Sequence, residues 1–229
     1  MRRAVAALAF CAVAGCGSGS EAPQPVSTFP DVTTVSAEEV LAAAQAAADQ
    51  ARSVHVVGQI SQGGQRTTLD LTLRASGDGA GFIETTGGRI DVARTDRDLY
   101  FKADEATLIQ VLGPDRAREA GSRFVKVPVG DATFRTFREL LDMKQVFAML
   151  LDPKGAVTRV AGVPVDGVTT VGVEDGDPDA GGVLYVAATG TPFPLLLRPN
   201  KREVGDMELR LTDWNADTLT GDWGGVRTD

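Results

Sequence analysis

Residues 53–75 read SVHVVGQISQGGQRTTLDLTLRA. Val54, Val56, Gly58 and Ile60 alternate with His55, Val57 and Gln59, and Gly63-Gly64 then supplies a tight turn. Beyond it, Leu69, Leu71 and Leu73 alternate with Thr68, Asp70, Thr72 and Arg74. A period of two with one apolar and one wet face is the mark of antiparallel strands packed on a core from one side. The pattern continues downstream. Gly77-Asp78-Gly79 turns the chain, Phe82 to Thr86 extends it, and Gly87-Gly88 turns it again. Ile90 and Val92 form the next strand, Asp96-Arg97-Asp98 another turn, and Leu99, Phe101 and Ala103 a fifth strand. Five strands joined by tight turns predict a meander.

Upstream of this stretch, Ser36 and Glu39 form a capping box, with Val35 and Val40 spaced for a hydrophobic staple. Val40, Leu41, Ala44, Ala47, Ala48 and Ala51 give a helix over about 37–52 a small-residue face that can lie close to a sheet. Downstream, Glu105 to Leu112 reads as a short helix stopped by Gly113-Pro114, a further helical turn follows near 115–120, and Arg123 to Val127 reads as a strand. Phe137, Leu140, Leu141, Val146, Phe147, Leu150 and Leu151 fall at helical spacing over about 136–151, and Asp152-Pro153 ends that helix. Strands return at 156–163, 168–173, 183–188 and 193–198, and Met207, Leu209 and Leu211 mark a last one. The sum is an α+β domain: a single, strongly curved antiparallel sheet (a half-barrel) of about ten strands, with helices on its concave face. A part-filled half-barrel is a ligand cavity.

The N-terminus decides where such a domain works. Arg2 and Arg3 precede the apolar run Ala4 to Val13, which is too short to span a bilayer. The run ends in Val13-Ala14-Gly15-Cys16, the layout of a lipobox. Residues 1–15 are accordingly read as a lipoprotein signal peptide, Cys16 as the lipidated residue, 16–35 as a flexible Gly/Ser/Pro-rich tether, and 36–229 as the folded domain. The expected location is the extracytoplasmic face of the cell membrane.

The chain of 229 residues carries a net charge of −8, two units more negative once Arg2 and Arg3 are removed. An acidic body is repelled by phosphate backbones, which argues against nucleic acid as a partner. Cys11 lies in the signal segment and Cys16 carries lipid, so no disulfide is expected. Aromatic residues make up 6% of the chain, so the core is built mainly from aliphatic side chains.

Taken in order, the lipobox, the tether and the segments SVHVVGQIS, TTLDLTLRA, DLYFKAD, RFVKVP and GGVLYVAATGTPFPLLLRP resemble the actinobacterial LppX/LprG-type lipoproteins and, more distantly, the LolA/LolB-like lipoprotein carriers. The resemblance covers about residues 36–213. It implies a curved sheet with helices over its mouth, a hollow that holds acyl chains, and carriage of lipid or glycolipid towards the outer envelope. Ala106-Thr107-Leu108 departs from the pattern where similar sequences often carry an aromatic residue, which leaves the shape of the hollow, and so the lipid, open.

Other chemistries lack their residues. His55 is the only histidine and falls among wet-face residues, which leaves no basis for a catalytic triad. One histidine and no usable cysteine exclude a zinc or copper cluster of ordinary type. Asp175, Asp177 and Asp179 form an acidic loop without the glutamate of a calcium hand, and read as a solvated turn. Gly87-Gly88 and Gly181-Gly182 are hairpin punctuation; neither opens a helix with the lysine of a phosphate loop. No enzyme, metal or cofactor is predicted.

The 137–151 stripe has two readings, as dense core or as a lid over a cavity, with Met143 and Met149 as adaptable surface. On the lid reading, the cavity is lined by Val54, Val56, Ile60, Leu69, Leu71, Leu73, Ile90, Val92, Leu99 and Phe101 from the sheet and by Phe137, Leu140, Leu141, Val146 and Phe147 from the helix. The expected function is a membrane-anchored, monomeric protein that takes lipid or glycolipid acyl chains into that cavity and passes them to an envelope acceptor. The alternative is an envelope scaffolding lipoprotein with a filled core and a protein partner.

Overall fold

The computed structural model describes residues 29–62, 65–179, 181–200 and 208–216, with backbone alone at 60–62 and 65. The signal segment, Cys16, the Gly63-Gly64 turn, Met207 and Trp223 lie outside the described residues. Helix α1 spans Ala37–Gln50. The meander follows as β1 (Ser53–Gln62), β2 (Gln65–Arg74), β3 (Gly79–Thr85), β4 (Gly88–Arg94) and β5 (Asp98–Lys102). Helices α2 (Glu105–Leu112) and α3 (Pro114–Ala120) lead to β6 (Val125–Pro128). A 3-10 turn (Ala132–Phe134) leads into α4 (Arg135–Leu140) and α5 (Met143–Leu150). The strands that follow are β7 (Val157–Val160), β8 (Thr170–Asp175), β9 (Gly182–Ala187), β10 (Pro194–Pro199) and β11 (Leu209–Thr212).

These eleven strands join one open antiparallel sheet in the order β6-β5-β4-β3-β2-β1-β11-β10-β9-β8-β7. The chain meanders outward from β1 to one edge, crosses through α4 and α5 to the other edge, and meanders back. The first and last strands therefore meet at the centre, with Val56 opposite Leu211 and Gly58 opposite Leu209. The expected count was about ten strands, and the described residues form eleven.

Two glycines allow neighbouring strands a close approach near the middle of the sheet. A Cβ on Gly58 would lie 1.9 Å from the Glu208 carbonyl oxygen, and one on Gly81 would lie 1.9 Å from that of Asp70. No side chain tolerates such an approach, so the neighbouring backbones come closest where β-carbons are missing.

The helices cover the concave face. The α1 helix starts as its sequence predicts: Glu39 N–H donates to the Ser36 hydroxyl at 3.3 Å and Ser36 N–H to the Glu39 carboxylate at 2.9 Å. Ala43, Ala44, Ala47 and Ala48 are buried, which brings this helix close over β7 and β8. Val32, assigned above to the tether, is buried as well, and the Arg159 guanidinium donates to the carbonyls of Val32, Thr33 and Val35. The packed part of the chain thus begins by Val32.

The single helix expected over 136–151 is two helices. Asp142 separates them, because its carboxylate caps α5 by accepting the Gln145 N–H at 3.1 Å. A residue that bonds ahead to the next helix's first turn stands outside helical geometry, and the chain bends there.

Replacing Gly81 or Gly58 by alanine should cost about 2 to 4 kcal/mol, since backbone must move to admit the methyl group. Urea unfolding followed by circular dichroism measures this, and a loss below about 0.5 kcal/mol would show that the close approach does not constrain the sheet.

Candidate functional site

Small residues on α1 and two short helices in place of one long one leave the concave face partly uncovered. Between them lies a hollow of about 810 Å³. Ile83, Val173, Leu184 and Leu197 line it from the sheet, and Leu41 from α1. Phe137 and Leu140 of α4, Met149 and Leu150 of α5, and Leu151 to Lys154 roof it. Thr67, Thr85, Thr136, Glu139, Gln145 and Asp175 bring polar groups to the same wall. Mostly aliphatic walls with a few polar groups suit an apolar ligand that has one polar end.

Of the residues expected to line a cavity, Phe137 and Leu140 do so. Val54, Val56, Leu69, Leu71, Leu73, Ile90, Val92, Leu99, Phe101, Leu141, Val146 and Phe147 belong to one packed cluster on the same face and are not part of the cavity wall. The side chain of Ile60 is outside the described residues. Aromatic rings close much of that cluster: Phe101 lies 5.1 Å from Phe134 and 5.0 Å from Phe137, while Trp214 stacks on Phe193 at 4.3 Å and meets Phe147 at 5.3 Å. The hollow is thus displaced towards β8, β9 and β10, which pair into the sheet's second half. Leu184 stands opposite both Leu197 and Val173, so these three form one row across three strands. Their alternation was readable in the sequence; their place beside the N-terminal meander depends on the β1–β11 pairing, which joins residues about 150 apart.

One charged contact joins the α4–α5 junction of the roof to β4. The Arg94 guanidinium donates to the Asp142 carboxylate at 2.8 Å and to the Arg138 carbonyl at 3.1 Å. Arg94 stands in β4 opposite Leu99, and its side chain is 14% exposed. Its Nε is buried without a partner, so the other end of the guanidinium carries the connection to the α4–α5 junction. Partial burial opposes ionisation of Asp142, but the Arg94 hydrogen bond and the Gln145 N–H outweigh it and hold the carboxyl below the usual aspartate range.

The acidic loop behaves as a turn. Asp175 accepts backbone N–H groups from Lys154 at 2.8 Å, Gly155 at 2.7 Å and Asp177 at 3.0 Å. Its burial is again outweighed by these bonds, which keep it ionised below the ordinary range. Asp177 accepts the Asp179 N–H at 2.9 Å. Among the described residues no group of three or more His, Cys, Asp or Glu is placed to hold a metal ion. His55 lies on the opposite face of β1 from Val54 and Val56, with Nε2 2.8 Å from Asp70 and Nδ1 3.4 Å from Asp213. These contacts join β1, β2 and the end of β11 away from the hollow.

With the geometry in place, comparison gives the fold a counterpart. Its fold is that of LprF from Mycobacterium bovis. The two superpose with a TM-score of 0.56 over 82% of this chain and 97% of LprF, at 15% sequence identity. LprF is of the LppX/LprG type, so the resemblance carried by the sequence segments extends to three dimensions. At that identity the likeness shows the fold alone. An uncharacterized conserved protein from Thermus thermophilus is similar at a TM-score of 0.41 and 9% identity, over 80% of this chain and 89% of its own, too remote to bear on function. No protein-family model and no curated protein matches the chain. Among the described residues, no helix is long and apolar enough to cross a membrane.

Asp142→Asn should lower stability by about 2 kcal/mol at neutral pH, because a charged hydrogen bond is lost while the cap can survive. Since the folded-state pKa is depressed, the contribution is full above the ordinary aspartate pKa and fades as pH falls through the lower folded value. Denaturant unfolding of both proteins between about pH 6 and about pH 2 should show the gap closing with acid, and a gap independent of pH would assign the effect to packing.

Proposed function

We propose that this protein binds lipid acyl chains in the hollow under α4 and α5 and serves as a membrane-anchored, extracytoplasmic lipid carrier. The observation that carries this reading is the hollow of about 810 Å³ with its largely aliphatic wall. A filled-core scaffold would need no such space. If a methylene takes roughly the 30 Å³ that a water occupies in the liquid, the hollow has room for on the order of 25 methylenes. At about 0.8 kcal/mol for each methylene removed from water, chains of that total length are held tightly against loss to solvent. The polar groups around the wall would meet the head of the lipid, and the two short roof helices would shift to admit it. Cys16 would carry the anchor, and a protein acceptor in the envelope would take the cargo. The LprF-like fold supports this reading, as does the lipobox.

Native mass spectrometry of protein purified with its envelope should find bound lipid, and a fluorescent fatty-acyl probe should bind delipidated protein at about one site. Bulk added inside the hollow, as Leu184→Trp together with Val173→Phe, should weaken probe binding tenfold or more while circular dichroism stays unchanged. Protein that carries no lipid and takes up no probe would end the proposal.

A further inference from the structure

The hollow lies at one end of the half-barrel. Arg159, Val173, Leu184, Leu197 and Leu209 stand opposite one another in successive strands, and the row continues through Gly58, Leu69 and Ile83. On one side of this row the concave face is packed by Val56, Leu71, Val92, Val186 and Leu211. On the other side the strands run to their ends at Thr85, Asp175 and Pro199, and all three of these residues line the hollow. The chain enters the domain at that same end. Arg159 belongs to the row, and its guanidinium donates to the carbonyls of Val32 and Thr33 at 3.0 Å and to that of Val35. Leu41, early in α1, lines the hollow, whereas Ala48 and Ala51 at the other end of that helix lie beside Ala75 and Met143 in the packed half.

From this we infer that the end of the half-barrel holding the hollow lies against the membrane, with Met149 and Ile109 in the lipid interface. The inference rests on the anchored-carrier reading above. About 15 residues separate Cys16 from Val32, and a coil of that length has a root-mean-square reach of roughly 20 Å. The ten residues of β1 alone extend about 33 Å. With Cys16 in the bilayer, a chain that leaves beside the hollow keeps that end near the lipid and holds the opposite end, with the turn at 188–193, away from it. The exposed side chains agree. Among the described residues the exposed large apolar side chains are Met149, Ile109 and Val168. Met149, 62% exposed, stands at the edge of the hollow. Ile109 belongs to α2, which is fixed to the turn after Thr85 where the Thr107 hydroxyl donates to the Gly87 carbonyl at 2.9 Å. Val168 alone sits at the opposite end, between β7 and β8. Apolar side chains left in water at one end are accommodated at the boundary of head groups and acyl chains. The acidic body offers no attraction to an anionic surface, so the anchor and these side chains, not charge, bring the two together.

The test uses the full chain lipidated at Cys16 and reconstituted into phosphatidylcholine vesicles that carry a nitroxide-headed lipid. Cys11 and Cys16 are the only cysteines, and Cys11 leaves with the signal segment, so Met149→Cys, Ile109→Cys and Thr191→Cys each take one fluorophore at an exposed position. Labels at 149 and 109 should be quenched at least about threefold more strongly than the label at 191, since interfacial apolar side chains bury about 5–10 Å into the head-group boundary. In envelope membranes, a benzophenone attached at 149 should crosslink to lipid. Equal quenching at the three positions, or the strongest at 191, would overturn the inference while leaving lipid carriage intact. Crosslinks from 149 to protein alone would assign this end to a protein partner and overturn it as well. A chain that carries no lipid on Cys16 and does not stay with the vesicles would overturn the anchored reading together with the inference.

Discussion

The structure depends on how closely two seams of backbone approach each other. At Gly58 and Gly81 the neighbouring carbonyls occupy the place of a β-carbon, one seam lying between β1 and the approach to β11 and the other between β3 and β2. Both flank the central strands, where a bend acts on the whole sheet. A bent sheet has an inner face that a flat layer of helices cannot follow. The helices supplied are α1, whose contact face is alanine, and α4 and α5, of six and eight residues. Elsewhere on that face, rings from Phe101, Phe134, Phe147 and Trp214 fill the depth. Over β8, β9 and β10 the apolar wall is Val173, Leu184, Leu197 and Pro199, with no aromatic ring, and there the space stays open.

Local structure was legible because its signals are local. The capping box at Ser36 and Glu39, the alternation at Leu69, Leu71 and Leu73, and the stop at Gly113-Pro114 each specify an element from neighbouring residues alone. The break at Asp142 was not legible, because the apolar spacing of 137–151 runs through it without interruption. What breaks the helix is a carboxylate that caps forward and pairs with an arginine 48 residues earlier. The site was half legible for a related reason. The sequence placed apolar side chains on one face of each strand, but it does not say that β11 returns to β1. Thr67, Ile83 and Thr85 of the N-terminal meander do bound the hollow, but the rest of its sheet wall, including Leu184, Leu197 and Val173, comes beside that meander only through the β1–β11 pairing.

The same economy sets how the roof can move. Among the described residues, the connection between the sheet and the α4–α5 junction is one charged pair, Arg94 with Asp142, together with apolar packing by Leu141, Val146 and Phe147. Partly buried ion pairs are directional and break over short distances, whereas apolar contacts tolerate sliding. The far end of the roof is tied separately, where Asp175 of β8 accepts the backbone N–H groups of Lys154 and Gly155. Between these two ties lies Met149 of α5, 62% exposed at the edge of the hollow.

A carrier has to hold its cargo against water and still release it to another apolar site. Tight burial serves the first need and hinders nothing in the second, because the acceptor offers the same burial. On the carrier reading proposed above, the rate of release depends on how readily the roof leaves the sheet, and so on the contacts that tie it there: Arg94 with Asp142 at the helix junction, and Asp175 of β8 with the backbone N–H groups of Lys154 and Gly155.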